Sequence, residues 1–348
     1  MSRSEAYTIR RRNRRYLALT LTVLLVSGAW IALWFYAQKT AAATIDDWRA
    51  REAKAGRVYD CGSQSMGGFP FRIEVTCDKA SAVIRSANPP LEFKAPKFLV
   101  AAQIYQPTLL ISEFAGPVTV AESGRAPNLV ANWKLAQSSV SWLPRAPERV
   151  SLVFDYPVLT RANPDDLILR AKHLEIHGRM VEGSVSNHPV IEIAVQSEAL
   201  TAPAAGPLAV PLTNVDIDGV LRGLKDFNPK PWPQRFREIQ QAGGRIEIRS
   251  ARLQQGDTVA TGAGTVTINE RGRLDGQINM AVAGLEAFIN QVAASNQQKL
   301  GFNVTLGLGL LGGNTQVEGR RAISLPLRIS DGVLLLGPFK VGEVPALF

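Results

Sequence analysis

The sequence contains few of the side chains on which catalytic and metal sites depend. Among its 348 residues there are only two cysteines and three histidines. Two cysteines without histidines beside them provide half of a structural zinc site at best. The chain also lacks the Gly-x-Ser-x-Gly nucleophile motif, the phosphate-binding P-loop and the His-Glu-x-x-His metalloprotease motif. We therefore expect no catalytic residues, no metal and no cofactor, and we do not expect an enzyme.

Two local patterns imitate functional motifs, and each has a simpler structural interpretation. His173, Glu175 and His177 alternate along the chain and would share one face of a strand, as metal ligands can. The leucine and isoleucine between them would point the other way, which predicts a solvated outer face over a buried inner face. The glycine pattern at 307–312 matches a dinucleotide-binding fingerprint, but no helical continuation follows it. It predicts a glycine-rich apolar strand or loop.

Positive charge is concentrated at the amino terminus. The formal net charge is +9, and residues 1–15 hold six arginines against one glutamate, so this tail carries about half of the excess. The rest is spread over the chain without a basic stripe interleaved with aromatic residues. Such a distribution does not favour nucleic acid as a partner.

A long uncharged run follows the arginines. No residue from Tyr16 to Tyr36 carries a charge, and about twenty apolar residues suffice to cross a hydrocarbon core of roughly 30 Å. Tyr16, Trp34 and Tyr36 stand at its two ends, where aromatic side chains anchor in the membrane interface. Because positive charge stays in the cytoplasm, the run predicts a single pass through the inner (cytoplasmic) membrane, with the amino terminus cytoplasmic and the body periplasmic. A signal peptide cleaved near Ala41–Ala43 is the alternative.

The chain divides into four segments on this basis. Thr44–Gly56 is rich in helix formers and ends in glycine, which predicts a short stalk helix beyond the membrane. The Pro-rich stretch at 201–211 is the best internal boundary and is either a linker or a long loop. The predicted segments are a basic cytoplasmic tail (1–15), a transmembrane helix (16–36), a stalk helix (37–56) and a β-rich periplasmic domain (57–348).

Short apolar runs, each read as one strand, dominate the body, and Leu129–Leu135 and Leu167–Ile176 are two of them. Proline and glycine separate the runs, and this spacing favours an antiparallel meander. The clearest block, Gly243–Val282, predicts three strands with turns at 255–257 and 270–272, one apolar face and one polar face. Pro229–Gly243 and Leu285–Gln298 show helical spacing instead. In the first of these segments the spacing places Trp232, Phe236 and Ile239 on the side of the helix that would pack on the sheet. The predicted fold class is mainly β with a few helices (α+β): an N-terminal transmembrane helix followed by a large curved antiparallel β-sheet with two amphipathic helices packed on it.

Cys61 and Cys77 flank the most distinctive string of the body, Gly67–Arg72 (GGFPFR). The cysteines suit one structural disulfide in an oxidising compartment, and two unpaired buried thiols are the alternative. Within the string, Arg72 is the candidate contact to a lipid headgroup or a protein partner. A purely structural interpretation instead predicts a sharp turn into a core strand, with both phenylalanines buried.

The Gly-Phe-Pro-Phe-Arg string, the two flanking cysteines and the closing segment at 331–338 (DGVLLLGP) resemble a family of alphaproteobacterial envelope proteins catalogued as domain of unknown function 2125. This resemblance covers nearly the whole chain, and it implies no assigned activity and no catalytic residues. More distantly, Gly243–Val282 is similar to AsmA-like envelope proteins, whose long curved sheets shelter lipid tails.

These observations together predict a membrane-anchored periplasmic protein of the cell envelope that binds lipid or another envelope protein through an apolar curved sheet. A structural or interaction module with a closed core is the alternative. A hydrolase with an unrecognised site is the third hypothesis, and a carboxylate or histidine with a perturbed pKa in a cleft would favour it.

Overall fold

The computed structural model describes residues 3–85, 87, 89–143, 146–163, 165–203, 213–228, 230–284, 312–337 and 339–348. Within these ranges side chains are described from residue 16 onward, except at 142, 143, 146, 147, 339 and 341. The predicted helix Leu285–Gln298, most of the stretch at 201–211 and most of the glycine pattern at 307–312 lie outside the described residues.

Two helices and twenty strands are present in these residues. The helices are α1 (Arg3–Lys54) and α2 (Trp232–Gln241). The strands are β1 (Arg57–Gly67), β2 (Arg72–Ile84), β3 (Leu91–Gln103), β4 (Gln106–Phe114), β5 (Val118–Glu122), β6 (Leu129–Asn132), β7 (Leu135–Leu143), β8 (Ala146–Asp155), β9 (Val158–Arg161), β10 (Leu167–Arg170), β11 (His173–Ser184), β12 (Asn187–Leu200), β13 (Thr213–Arg222), β14 (Arg245–Gln255), β15 (Thr258–Ile268), β16 (Leu274–Ala283), β17 (Gly313–Val317), β18 (Arg320–Ser330), β19 (Val333–Leu336) and β20 (Phe339–Glu343).

The first helix, α1, runs without interruption for 52 residues. Its part from Tyr16 onward contains a window with a mean hydropathy of 2.0 and is long and apolar enough to cross a membrane. The helix ends just before Gly56, whose φ of 79° is a left-handed conformation that glycine adopts freely. The predicted tail, span and stalk are therefore successive parts of a single helix.

The strands form an antiparallel meander in which neighbours in sequence are mostly neighbours in the sheet. β1, β2 and β3 pair in order. The next four strands are each interrupted once, so that β4 with β5, β6 with β7, β8 with β9, and β10 with β11 are halves of four longer strands. β12 to β16 follow in order, and β18 pairs with β16 on one side and with β17 and β19 on the other. Among the described residues the sheet is not closed, and the predicted mainly β class with one large antiparallel sheet is confirmed.

The four interruptions lie side by side across the sheet. The amide of Lys134 donates to the carbonyl of Asp155 at 2.9 Å, and the amide of Tyr156 donates to the carbonyl of Lys172 at 2.9 Å. Proline stands at two of the interruptions, Pro117 and Pro157, and cannot donate to a neighbouring strand. Local breaks of this kind bend the strands in which they occur.

One face of the sheet is apolar from its first strands to its last. Cross-strand partners form two adjacent rows on this face, and almost every member is aliphatic or glycine. The first row contains Ile73, Ala102, Leu110, Val140, Val150, Gly178, Ile193, Gly219, Ile248, Gly264, Ile278, Leu327 and Leu336. The second row contains Val75, Val100, Ser112, Ser138, Leu152, Ile176, Val195, Ile217, Ala251, Gly262, Met280 and Leu325. We call these two rows the apolar face.

Residues between the two rows point to the opposite face and are largely polar, as Glu74, Ser139, His177 and Asp218 show. The alternation predicted for Gly243–Val282 therefore extends over most of the sheet. On β12 to β16 many side chains of the apolar face are only half-buried.

Candidate functional site

A cavity of about 420 Å³ lies between α2 and the sheet. Its roof includes Phe236 and Ile239 of α2, and Leu347 near the carboxyl end of the chain also lines it. Its floor is a third row of cross-strand partners beside the first row of the apolar face: Ile191, Leu221, Ile246 and Val266. A cavity of this size with an apolar lining is typical of a small-ligand site.

The sequence of α2 explains how it covers the cavity. A proline in its first turn favours helix initiation, and Phe236 and Ile239 fall on the same side of the helix. Ile239 is buried, as predicted. Trp232, predicted on the same inward side, is 72% exposed and stacks on Phe236 with ring centroids 5.7 Å apart. It lies at the first position of the helix and lines the cavity while most of its side chain remains in contact with solvent.

Two glycines allow the chain just after β13 and the chain just before β14 to lie in close contact. A Cβ atom on Gly223 would lie 2.3 Å from the Cα of Gly244. A Cβ atom on Gly244 would lie 2.5 Å from Cγ2 of Ile239. A larger residue at position 223 would push the backbone at Gly244 away, and one at position 244 would push Ile239 of α2 away.

Four charged side chains fasten α2 to the preceding loop, and we call them the charged cluster: Asp226, Lys230, Arg235 and Glu238. Lys230 Nζ donates to Asp226 Oδ2 at 3.0 Å and to Glu238 Oε1 at 2.8 Å. Arg235 Nη1 donates to the backbone carbonyl of Asp226 at 2.6 Å. The hydrogen bond from Lys230 is the largest cause that lowers the pKa of Asp226 to about 2, against the opposing effect of burial.

The hydrogen bonds of Asp226 show what this carboxylate does in the site. Its Oδ2 accepts from Lys230, and its Oδ1 accepts from the backbone amide of Asn228 at 2.8 Å. A carboxylate with a low pKa and engaged oxygens is a poor general base at neutral pH. The charged cluster therefore fixes α2, the roof of the cavity, to the preceding loop, while the cavity itself accommodates apolar groups.

The cavity lies at one particular edge of the sheet. Successive strands alternate in direction, so the loop at 223–244 emerges at the same edge as the β1–β2 turn (68–71) and the β3–β4 turn (104–105). We call this the α2 edge. Phe227 and Ile246, which line the cavity, are 41% and 45% exposed, so part of its apolar lining is open to solvent.

At the α2 edge, α1 holds the turn that contains the Gly-Phe-Pro-Phe-Arg string. Nε1 of Trp30 donates to the carbonyl of Pro70 at 2.9 Å, and Nε1 of Trp34 donates to the carbonyl of Arg72 at 2.9 Å. The ring of Trp34 meets that of Phe69 edge-on, with centroids 5.4 Å apart.

The three predicted membrane anchors differ in exposure. The side chain of Trp34 is 5% exposed, because the indole packs against the turn and donates to a carbonyl there. Tyr16 and Tyr36 are 61% and 70% exposed. The anchoring role of all three stays a prediction.

The two phenylalanines of the string also differ from the structural interpretation, which buried both. Phe69 is 53% exposed and Phe71 is 61% exposed, because the turn projects beyond the sheet and β2 begins only at Arg72. Ile73 is the first buried side chain of that strand. The candidate contact residue Arg72 has a side chain 60% exposed and paired with Glu74 at 2.6 Å.

Cys61 and Cys77 form a disulfide with Cα atoms 5.4 Å apart, so the predicted pairing is confirmed. The disulfide joins β1 to β2 beside α1, where Arg49 Nη2 lies 3.3 Å from the sulfur of Cys61. The ring of Trp48 stacks on that of Tyr59 at 4.8 Å. The first hairpin is thus fixed to the helix at both ends.

The three residues of the histidine pattern lie together on the polar face, as predicted. Nε2 of His173 lies 2.7 Å from Glu175 Oε1, and Nε2 of His177 lies 2.8 Å from Glu175 Oε2. The hydrogen bonds to Glu175 and then to Asp155 raise the pKa of His173. About a third of each of these side chains is exposed, which fits a solvated outer face.

Sequence reasoning missed the cavity floor and two residues of the α2 edge, Trp30 and Tyr105. The floor row joins strands distant in sequence, so only the register brings it together. Tyr105 has a local signal: it is an aromatic residue between two strand patterns, where polar turn residues are usual.

Comparison with known proteins gives one family match. The model of the family described as an uncharacterized protein conserved in bacteria (DUF2125) matches residues 34–345. No curated protein matches the chain.

Proposed function

This chain belongs to the DUF2125 family of bacterial proteins, and from that premise and the geometry of its body we propose that it is a membrane-anchored protein of the cell envelope that holds a lipid acyl chain. α1 anchors it in the inner membrane, and the body lies in the periplasm. The cavity under α2, continued by the apolar face, takes the acyl chain.

The anchorage is supported by the charge and length of α1. The arginines before Tyr16 favour a cytoplasmic amino terminus, and the uncharged segment matches the thickness of a bilayer. A disulfide persists in the bacterial periplasm and is rare in the cytoplasm. Both features are consistent with a body outside the cytoplasm.

Lipid binding rests on one observation above all: a cavity of about 420 Å³ has an apolar floor, and that floor lies on the same side of the sheet as the apolar face, next to its first row. A closed core would favour the alternative of a purely structural module, whereas in the part of the chain that the structure describes the sheet is not closed. We also propose that the protein is not an enzyme, since Asp226, the perturbed carboxylate at the cavity, has its oxygens engaged by Lys230 and Asn228.

Native mass spectrometry of the full chain, purified in mild detergent, tests this function. We expect the wild-type protein to carry a lipid and the Ile246→Glu variant to lose it, because a charge on the cavity floor opposes an apolar chain. Ile246 is 45% exposed, so the variant should still fold.

Ala263→Glu provides the matched control. Ala263 is exposed on the polar face of neighbouring β15, where a carboxylate remains in water. We expect this variant to retain the lipid. Equal lipid content in all three proteins, or none in the wild type, would contradict the proposal.

A further inference from the structure

The α2 edge carries exposed aromatic residues next to the apolar part of α1. Phe69 and Phe71 in the β1–β2 turn are 53% and 61% exposed, and Tyr105 in the β3–β4 turn is 68% exposed. The two turns are neighbours, since the amide of Ile104 donates to the carbonyl of Phe71 at 3.0 Å. We call Phe69, Phe71 and Tyr105 the aromatic edge.

The depth of this edge relative to the membrane follows from its contacts with α1. At 1.5 Å per residue, Tyr36 lies about 30 Å along the helix from Tyr16, whereas Trp30 lies about 21 Å from it. Trp30 nevertheless touches the turn, with its Nε1 donating to Pro70 at 2.9 Å and its ring 6.2 Å from that of Phe71. The turn therefore meets α1 about 9 Å to the membrane side of Tyr36.

A hydrocarbon core of roughly 30 Å that begins at Tyr16 would end near Tyr36. The aromatic edge would then be within the outer interface or just below it. If the hydrocarbon core covered a segment of α1 a few residues nearer its carboxyl end, the aromatic edge would be buried more deeply. A segment nearer the amino terminus is disfavoured, because it would bring Arg14 and Arg15 into the hydrocarbon core.

The chemistry of the two turns fits that position. The turns at 68–71 and 104–105 contain no charged side chain, and three of their six residues are aromatic. Aromatic rings are favoured at the headgroup level of a bilayer. Behind them Arg72, with a side chain 60% exposed, stands where a lipid phosphate would meet it.

We propose that the aromatic edge inserts into the outer interface of the membrane and seats the body upright on it, with the strands of the first hairpin running away from the bilayer. This inference rests on the proposed anchorage of α1. It also places the cavity under α2 at the sheet edge that faces the bilayer, which gives an acyl chain a short path into the cavity.

Fluorescence quenching in liposomes tests the inference. Because the two native cysteines are bonded to each other, a cysteine introduced into the full chain can be labelled alone. Phe71→Cys and Tyr105→Cys would carry a polarity-sensitive fluorophore in phosphatidylethanolamine and phosphatidylglycerol vesicles that contain a nitroxide-labelled phospholipid. Arg125→Cys, at the opposite edge with a side chain 76% exposed, is the control outside the membrane. Leu24→Cys is the control within the span.

We expect quenching at positions 71 and 105 to exceed that at 125 several-fold and to approach that at 24. Quenching at 71 and 105 as low as at 125, with strong quenching at 24, would overturn the docking while leaving the anchorage intact. Weak quenching at 24 as well would overturn the anchorage, and the docking with it.

Discussion

Individual residues show how a charged group can border an apolar cavity without disrupting it. Asp226 lies beside the cavity, yet its carboxylate accepts hydrogen bonds from Lys230 and from the amide of Asn228. A buried charge that is paired in this way costs far less than an isolated one. The charged cluster thus stabilises the roof and leaves the floor free for apolar contacts.

The lowered pKa of Asp226 predicts how the roof responds to acid. Its pKa falls from 3.8 to about 2 in the folded protein. A carboxyl group with a depressed pKa contributes stability above its unfolded value, and this contribution is lost as the pH falls from about 4 to about 2. We expect Asp226→Asn to lower the melting temperature at pH 7 and to reduce the acid dependence in that window. Thermal unfolding of the full chain in detergent from pH 7 to pH 2 measures both.

Asp218→Asn is the comparison for this prediction. Asp218 is a 40% exposed carboxylate that lies 3.7 Å from Arg249, and an exposed pair of this kind contributes little. Equal acid dependence in Asp226→Asn and in wild type would show that the charged cluster does not stabilise the roof.

At this scale the sequence predicted which residues lie together more accurately than it predicted which side chains are exposed. The disulfide was predicted from two cysteines in an oxidising compartment, and the shared face of His173, Glu175 and His177 was predicted from their spacing. The exposure of Phe69 and the burial of Trp34 were not predicted, because both depend on the contact of α1 with a turn about 35 residues further along the chain. Aromatic side chains suit a core and a membrane interface equally well, and only the tertiary contact decides between them.

Among the elements, the first hairpin links the anchor to the sheet. It contacts α1 through Trp34 near the turn and through the Trp48–Tyr59 stack at the other end, and the disulfide joins its strands. Any movement of this hairpin relative to α1 would move the aromatic edge.

Removing the disulfide should therefore loosen this hairpin. Its cysteines are 16 residues apart, and a cross-link that closes such a loop contributes about 3 kcal/mol in the chain-entropy model. We expect the Cys61→Ser/Cys77→Ser variant to unfold at a lower temperature than wild type and to be insensitive to reductant, whereas reduction should bring the wild type down to the same temperature.

Ser65→Ala/Thr76→Ala is the matched control, since these residues are cross-strand partners in the same hairpin. It should melt near the wild-type temperature and retain the response to reductant. A cysteine variant as stable as this control would mean that the disulfide does not stabilise the hairpin.

Elements with strong local signals could be read from the sequence. The strands β14, β15 and β16, the glycine turns between them, and α2 occur where alternation and helical spacing place them. The runs Leu129–Leu135 and Leu167–Ile176 were read as single strands, but each is broken near its end or middle. Those breaks align with breaks in adjacent strands, and a single sequence contains no signal for such alignment.

At the scale of the whole molecule, the main feature is the apolar face of the sheet. Its rows cross the sheet from β2 to β19, and the opposite face is largely polar. A soluble sheet with one apolar face must cover that face with helices, with another sheet or with a ligand. On β14 and β16 the face is half-buried at Ile248 and Met280, which leaves room for a further apolar partner.

The most direct measurement of lipid on this face is site-specific photocrosslinking at four successive positions of β14. A benzophenone amino acid would replace Ile246, Glu247, Ile248 or Arg249 in the full chain in its native membrane, and mass spectrometry would detect lipid adducts after irradiation. Side chains alternate between faces along a strand, so lipid adducts are expected at 246 and 248 but not at 247 and 249. Adducts of equal yield at all four positions, or none at 246 and 248, would contradict lipid binding by the apolar face.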